Sequence, residues 1–108
     1  MRASALSLDQ TFSALGDPTR RAILARLMDG EKSLSEIAAP INMTQTGVTR
    51  HVTVLSDAGL VSVKKRGRTR YCKLRAKPMQ RACQWLMDYE AFWDRSLKNL
   101  AAHLDKNP

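Results

Sequence analysis

The sequence lacks the features that mark secreted, membrane-spanning and thiolate metal proteins. It has 2 cysteines among 108 residues, Cys72 and Cys83, and they form no Cys-x-x-Cys pair. A disulfide framework is therefore not indicated, and both thiols are expected to pack as small apolar groups. The chain opens on no signal-peptide pattern, and no apolar run approaches the roughly 20 residues of a membrane helix. We expect a cytoplasmic protein with reduced thiols, no membrane contact, no cofactor and no metal.

Acidic residues are missing from one long stretch of the chain. Residues 58–87 contain no Asp or Glu but 9 Lys or Arg, whereas the remainder holds 9 basic and 10 acidic residues. The whole net charge of +8 therefore comes from this block. A localised positive block attracts polyanions, while evenly spread charge indicates only solubility. The block predicts nucleic acid or an anionic membrane surface as the partner.

The first part of the chain has the pattern of two short helices. Leu8, Phe12 and Leu15 form one apolar stripe at helical spacing. Asp17 and Pro18 then fit the N-cap and first helical position of a second helix, where the missing proline N–H costs nothing. Residues 1–7 and 105–108 carry no such pattern and are expected to fray.

Two further helices with a short turn between them predict a helix-turn-helix. Ser35 is expected to cap a third helix whose length Pro40 limits. Thr44 is expected to cap a fourth helix over residues 45–58, and Gly59 to end it.

The outer side of the fourth helix carries groups that can recognise bases. At about 100° per residue, Val48, Val52 and Leu55 fall on the inner side. The outer side carries an amide, short hydroxyls and a guanidinium, which suit base edges in the major groove. The predicted base-reading residues are Gln45, Thr46, Thr49 and Arg50. The predicted backbone contacts of this region are Thr44, His51 and Thr53, and for His51 packing or phosphate contact is favoured over base reading. A merely solvated amphipathic helix is the alternative.

A basic β hairpin, the wing, is predicted over residues 60–75. An alternating β-branched run precedes the turn Arg66-Gly67, and residues 69–74 return as a second strand. Positive charge on such a ribbon suits phosphate contact, and an arginine at its tip can enter the minor groove. The residues assigned to this role are Lys64, Lys65, Arg66, Arg68 and Arg70. A charged edge that protects against aggregation is the alternative.

A last helix is predicted from Pro78 to about Leu104, about 40 Å long at the usual rise. Its apolar residues form two stripes, whereas one is enough to cover the domain's own core. We expect the other stripe to contact a second copy of the chain together with the first helix. The assigned dimer residues are Leu8, Phe12, Leu86, Tyr89, Phe92, Trp93, Leu97 and Leu100. A helix that simply folds across its own domain is the alternative.

Four runs carry a family resemblance. FSALGDPTRRAILARL (residues 12–27), SLSEIA, MTQTGVTRHVTVLSDAGLV (residues 43–61) and KRGRTRYCKL (residues 65–74) resemble the ArsR-type winged helix-turn-helix repressors in order and spacing. The final helix, with WLMDYEAFWDRSLKNL, is similar to a branch of that family without the usual metal ligands. The resemblance implies a homodimer that occupies an operator near its own or a neighbouring promoter and blocks transcription.

Metal sensing, which many members of that family perform, is not expected. The thiolates of their third-helix site are replaced by Ser33 and Ser35, and a hydroxyl is a poor substitute for thiolate toward soft metals. Toward the family's other site, the last helix offers Asp88, Glu90, Asp94 and an out-of-pattern His103.

These observations predict a single domain over residues 1–108, mainly α with a small β hairpin, in the order ααααββα. The wing would occupy about 60–75 and the dimerisation helix about 78–104. The predicted function is a sequence-specific DNA-binding transcription regulator, a repressor by resemblance, on an inverted-repeat operator. The alternatives are a ligand-, metal- or thiol-responsive sensor of the same fold and a non-specific basic nucleic-acid-binding protein. An enzyme is not expected, because the sequence has no Gly-rich phosphate loop, metal triad or nucleophile–base pair.

Overall fold

The computed structural model describes residues 2–106, with side chains from Leu8 onward. The helices are α1 (Arg2–Leu15), α2 (Pro18–Leu27), α3 (Leu34–Ile41), α4 (Gln45–Asp57), α5 (Ala76–Met87) and α6 (Glu90–Lys106). The strands are β1 (Lys32–Ser33), β2 (Val61–Arg66) and β3 (Thr69–Leu74), which form an antiparallel sheet in the order β1-β3-β2. The fold is a winged helix-turn-helix, mainly α with a β-hairpin wing, as predicted.

The helices reach further toward the ends of the chain than the sequence indicated. The structure places residues 2–7 in α1 and residues 105–106 in α6, where fraying was expected. The other residues of that expectation, Met1, Asn107 and Pro108, lie outside the described residues.

The sheet has a third strand that the sequence did not predict. Lys32 and Ser33 pair with Cys72 and Tyr71 of β3. Two residues are too few to show an alternating pattern, so only their pairing with a distant strand identifies β1. This strand joins the start of α3 to the wing.

The single C-terminal helix predicted from Pro78 is in fact two helices. It begins two residues earlier, at Ala76, and is interrupted at Asp88 and Tyr89. There the Tyr89 amide bonds to the Leu86 carbonyl at 3.1 Å, a tighter turn than the α-helical one. The apolar spacing continues across this turn, which explains why the sequence pattern predicted one helix.

The starts of α2 and α4 are capped as predicted. The Asp17 carboxylate accepts a hydrogen bond from the Arg20 amide at 3.0 Å, and Pro18 occupies the first turn. Thr44 Oγ1 accepts from the Gly47 amide at 3.1 Å. These bonds satisfy amide groups that have no partner inside a helix.

The cap of α3 is Ser33 and not Ser35. Ser33 Oγ accepts from the Glu36 amide at 3.2 Å, and the Glu36 carboxylate accepts from the Ser33 amide at 3.0 Å. This reciprocal capping box fixes the start of the helix two residues earlier than predicted. The Ser33 amide holds the pKa of the Glu36 carboxyl below its ordinary value.

Pro40, which was predicted to limit the length of α3, lies inside the helix near its end. The helix continues one residue past it and ends where Asn42 adopts a left-handed φ of 58°. Proline has no amide hydrogen to donate to the Glu36 carbonyl. That carbonyl instead accepts from Arg26 Nη2 at 3.4 Å, which compensates for the proline inside the helix.

One apolar core holds the helix-turn-helix against the sheet. Its largest fully buried side chains include Ile23, Leu27, Ile37, Val48, Leu55, Leu60, Val61 and Cys72. By contrast, α6 contributes no buried residue to the described part of the chain. No helix within residues 2–106 is long and apolar enough to span a membrane.

Candidate nucleic-acid interface

The inner and outer sides of α4 are separated as the sequence predicted. Val48, Val52 and Leu55 are buried in the core. The four predicted base-reading residues lie away from the core. Gln45, Thr46 and Arg50 are exposed, and Thr49 is half-buried. Their polar groups are therefore presented on the surface of the second helix of the helix-turn-helix.

One groove joins this surface to the wing. Gln45 and Thr49 line it from α4, and Lys65, Arg68 and Arg70 line it from the wing. The remaining lining residues are Leu34, Ser35 and Thr69, so no lining residue is acidic. Hydrogen-bonding side chains and positive charge thus share one concave surface, which suits a groove edge and phosphates of a duplex.

Two polar lining residues of this groove were not predicted as site residues. Ser35 was expected to cap α3, but the cap is Ser33, and Ser35 is exposed at the groove. Thr69 lies at the start of β3. Neither a serine at the start of a helix nor a threonine beside a hairpin turn has a distinctive sequence signal. Only the geometry of the groove therefore identifies Ser35 and Thr69 as lining residues.

The strand register divides the basic wing residues between two faces. Lys65 pairs with Arg70, and directly opposed residues project from the same face of a sheet. That face carries the groove shared with α4. Lys64 pairs with Tyr71, and because side chains alternate along a strand, both project from the opposite face. The sequence pattern had treated the wing cations as one set.

Arg66 is also on the face away from α4. Its guanidinium forms an ion pair with Glu31 and lies 4.1 Å from the centre of the Tyr71 ring. The partner carboxylate is 35 residues away in the chain, so no local pattern could reveal this pairing. Phosphate contact by Arg66 stays a prediction, and it would compete with these two contacts.

His51 packs against the start of α2. Its Nδ1 lies 3.8 Å from Asp17 Oδ2 and 3.5 Å from Arg20 Nη1, and its side chain is 21% exposed. The Arg20 amide, followed by the charges of Arg20 and His51, holds the pKa of the Asp17 carboxyl below its ordinary value. The packed interpretation of His51 fits this position, and Arg20, which the sequence did not single out, joins it at the surface.

The two threonines assigned to backbone contact are both exposed. Thr44 Oγ1 accepts the capping bond of α4, so its hydroxyl hydrogen remains able to donate to a phosphate. Thr53 Oγ1 already donates to the Thr49 carbonyl at 2.9 Å. Thr44 is therefore better suited to phosphate contact than Thr53.

The predicted dimer residues lie on α1, α5 and α6 and, for Tyr89, in the turn between α5 and α6. Leu8 and Phe12 are half-buried, and the Phe12 ring meets the Trp85 ring edge-on at 5.6 Å between centroids, so α1 packs against α5. The other predicted residues are 46% to 63% exposed: Leu86, Tyr89, Phe92, Trp93, Leu97 and Leu100. The described part of the chain does not cover this apolar surface.

The residues at the family's metal-site positions do not fit a soft metal. Ser33 Oγ is engaged in the capping box and lies 3.2 Å from Ser35 Oγ. Within residues 2–106, no group of three or more His, Cys, Asp and Glu lies close enough to hold a metal ion. Cys72 is buried, and desolvation raises the pKa of its thiol to about 11, whereas Cys83 is exposed.

Comparison with known proteins agrees with this geometry. Residues 15–64 match the model of a helix-turn-helix domain family. The chain is 32% identical over 99 residues to the HTH-type transcriptional regulator Rv2034 of Mycobacterium tuberculosis, covering 92% of this chain and 90% of that one. It is 28% identical to the transcriptional repressor SdpR of Bacillus subtilis, over 76% of this chain and 91% of the relative.

A solved structure supports the same assignment. The crystal structure of the ArsR family transcriptional regulator RHA00566 superposes with a TM-score of 0.76 at 36% identity, covering 83% of this chain and 93% of that one. The chain therefore belongs to the ArsR family of winged helix-turn-helix, DNA-binding transcription regulators.

Proposed function

We propose that the protein is a repressor that binds an inverted-repeat operator as a homodimer and acts by occupying DNA, without catalysing a reaction. The groove between α4 and the wing carries this proposal, because Gln45 and Thr49 line it together with Lys65 and Arg70 and no lining residue is acidic. A regulator of this family acts on the bacterial chromosome, so we place it in the cytoplasm. Repression, as opposed to activation, is supported by the name of the Bacillus subtilis relative.

Within this proposal α4 and the wing have different roles. Arg50, Gln45, Thr46 and Thr49 on α4 read base edges in the major groove, where arginine suits guanine and glutamine suits adenine. Lys65, Arg68 and Arg70 bind phosphates and hold the protein in register. Thr44 adds a phosphate contact at the start of α4. Sequence preference then comes from the helix, and most of the salt dependence comes from the wing.

The second copy of the chain covers the exposed apolar surface of α5 and α6. Trp93 and Leu97 are 60% and 63% exposed in the single chain, and a contiguous apolar surface of this kind marks an interaction site. A two-fold dimer of this kind places its two recognition helices in successive major grooves. The operator half-sites are then about one helical turn apart, roughly 34–36 Å.

The test is footprinting of the purified protein on DNA upstream of its own gene, followed by affinity measurements on the protected fragment and on a scrambled duplex of equal length. We expect a two-fold symmetric footprint and a clear preference for the protected fragment. Equal affinity for both duplexes would contradict the proposal and favour a non-specific basic binding protein. A preference for RNA would contradict it as well.

A further inference from the structure

The wing carries a second groove on its face away from α4. This far-face groove is lined by Glu31, Ser62, Lys64, Arg66, Tyr71, Lys73, Leu74 and Arg75. The register Ser62 with Lys73 and Lys64 with Tyr71 places these four residues on the side of the sheet opposite Lys65 and Arg70. The proposed operator contact uses the near face. Of the cations in this groove, only Lys64 and Arg66 are predicted from the sequence to contact phosphates, so Lys73 and Arg75 have no role yet.

The charges of the far-face groove are not balanced by the protein. Glu31 is its only acidic lining residue, and that carboxylate is taken by Arg66, which also lies on the Tyr71 ring. The side chains of Lys64, Lys73 and Arg75 are exposed. Within residues 8–106, none of these three has a carboxylate within ion-pair distance. Three cations thus line a groove whose single counter-charge is already used, and such a surface attracts an extended anion.

We propose that the far-face groove binds the phosphate backbone of duplex DNA flanking the inverted repeat, and this rests on the proposed repressor function. When the near face of the wing lies over the operator, the far face points along the duplex, away from α4. The anionic surface next to it is the continuation of the same DNA. Lysine and arginine side chains there contact phosphates and do not read sequence.

Contact with both faces requires the flanking duplex to curve toward the wing. Bending a duplex costs free energy that depends on its sequence, and additional phosphate contacts offset that cost. The proposal therefore predicts that the protein prefers longer DNA and bends it, even where the flanks share no sequence with the operator.

The experiment compares two duplexes, one trimmed to the footprinted inverted repeat and one with about two helical turns of mixed sequence added on each side. The test variant is Lys73→Ala/Arg75→Ala. The matched controls are Lys65→Ala/Arg70→Ala on the near face and Lys98→Ala/Lys106→Ala on α6, each of which removes the same charge. Folding of every variant is checked by circular dichroism and thermal melting, since all six side chains are exposed.

We expect Lys73→Ala/Arg75→Ala to leave binding to the trimmed duplex nearly unchanged and to weaken binding to the long one. On the long duplex, two lost phosphate contacts should reduce the salt slope by ~1.8, so the affinity advantage of the wild type should shrink about 12-fold between 50 and 200 mM salt. The near-face variant should weaken both duplexes, and the α6 variant neither. Hydroxyl-radical protection should also shorten at both ends in the far-face variant.

Equal losses on both duplexes would overturn the proposal, because the far face would then contact the operator itself. No loss on either duplex would overturn it too and would favour an acidic protein surface as the partner. If the wild type shows no preference for the upstream fragment, the proposed repressor function fails separately. The salt slopes of the far-face variant on long and short scrambled duplexes would still show whether this groove binds phosphates.

Discussion

The Nδ1 atom of His51 lies 3.8 Å from Oδ2 of Asp17, so a side chain of the recognition helix α4 contacts the residue that caps α2. The same carboxylate accepts from the Arg20 amide, and Arg20 Nη1 lies 3.5 Å from His51. His51, Asp17 and Arg20 therefore contact one another where α4 meets the start of α2.

Replacement of Asp17 should lower stability in a way that depends on pH. Asp17→Ala removes the cap and the charge, and Asp17→Asn keeps a capping oxygen but removes the charge, so we expect Tm at neutral pH to fall in both and further in Asp17→Ala. The pKa of Asp17 is held below its ordinary value of 3.8. Its charge therefore contributes stability above about pH 3.8, and this is lost as the pH falls through the lowered pKa.

Thermal melts of the wild type and Asp17→Asn between about pH 7 and pH 2 provide the measurement. The difference in Tm should shrink at the acid end of this range. A difference that is constant or grows toward low pH would show that the carboxylate charge does not stabilise the folded state.

Arg50→Ala should reduce sequence preference. We expect a loss of about 1–3 kcal/mol on the operator, little change on scrambled DNA and relaxed preference at one or two base positions. Arg68→Ala should weaken both duplexes about equally and flatten the salt slope, because it removes a phosphate contact. Affinities at several salt concentrations decide between these effects. If Arg50→Ala lowered both affinities in parallel while Arg68→Ala changed their ratio, the roles of helix and wing would be reversed.

Trp93→Asp or Leu97→Asp should prevent dimerisation. Each places a charge on the apolar surface that we assign to the dimer contact, where it would be buried without a partner. Sedimentation should show monomer, or the variant should be insoluble. Asn99→Asp adds the same charge at a polar, exposed position of α6 and should remain dimeric. Soluble dimers of unchanged affinity in both apolar variants would show that the contact lies elsewhere.

Zinc, cadmium and arsenite should not release the protein from DNA. The hydroxyls of Ser33 and Ser35 stand where thiolates would be required, and that of Ser33 is engaged in the cap of α3. Titration of the protein–DNA complex with stoichiometric metal is the measurement. A sharp release by metal that disappears in Cys72→Ser/Cys83→Ser would instead assign sensing to the cysteines.

Cys72 should react with thiol reagents only when the protein unfolds. It is fully buried, and burial raises its pKa from 9.0 to about 11, so the neutral thiol predominates in the folded protein. The stability that the raised pKa of Cys72 contributes to the folded protein is complete below about pH 9, and it is lost as the pH rises through about 11. In Cys83→Ser, the labelling rate at pH 8 should follow global unfolding as denaturant is raised. Rapid labelling without denaturant would contradict the buried position of Cys72.

Elements whose signals are local could be predicted from the amino-acid pattern alone. Asp17 and Thr44 cap helices because their side chains reach an amide three residues away, and Val48, Val52 and Leu55 face the core because they share one side of a helix. The basic hairpin is equally local, since its alternating strands surround a two-residue turn. These features were enough to predict the winged helix-turn-helix and the outer side of α4.

Features that depend on contacts between residues far apart in the chain could be identified only from the folded structure. The strand β1 exists because it pairs with β3, and the ion pair of Arg66 needs Glu31. The turn at Tyr89 interrupts the C-terminal helix without changing the spacing of its apolar residues, so the sequence pattern does not reveal it. The division of the wing into two charged faces required the register of β2 on β3, which places Lys65 beside Arg70. The amino-acid composition gives the number of these cations. Because charges act through space, their effect also depends on their division between two grooves, which follows from how the strands are paired.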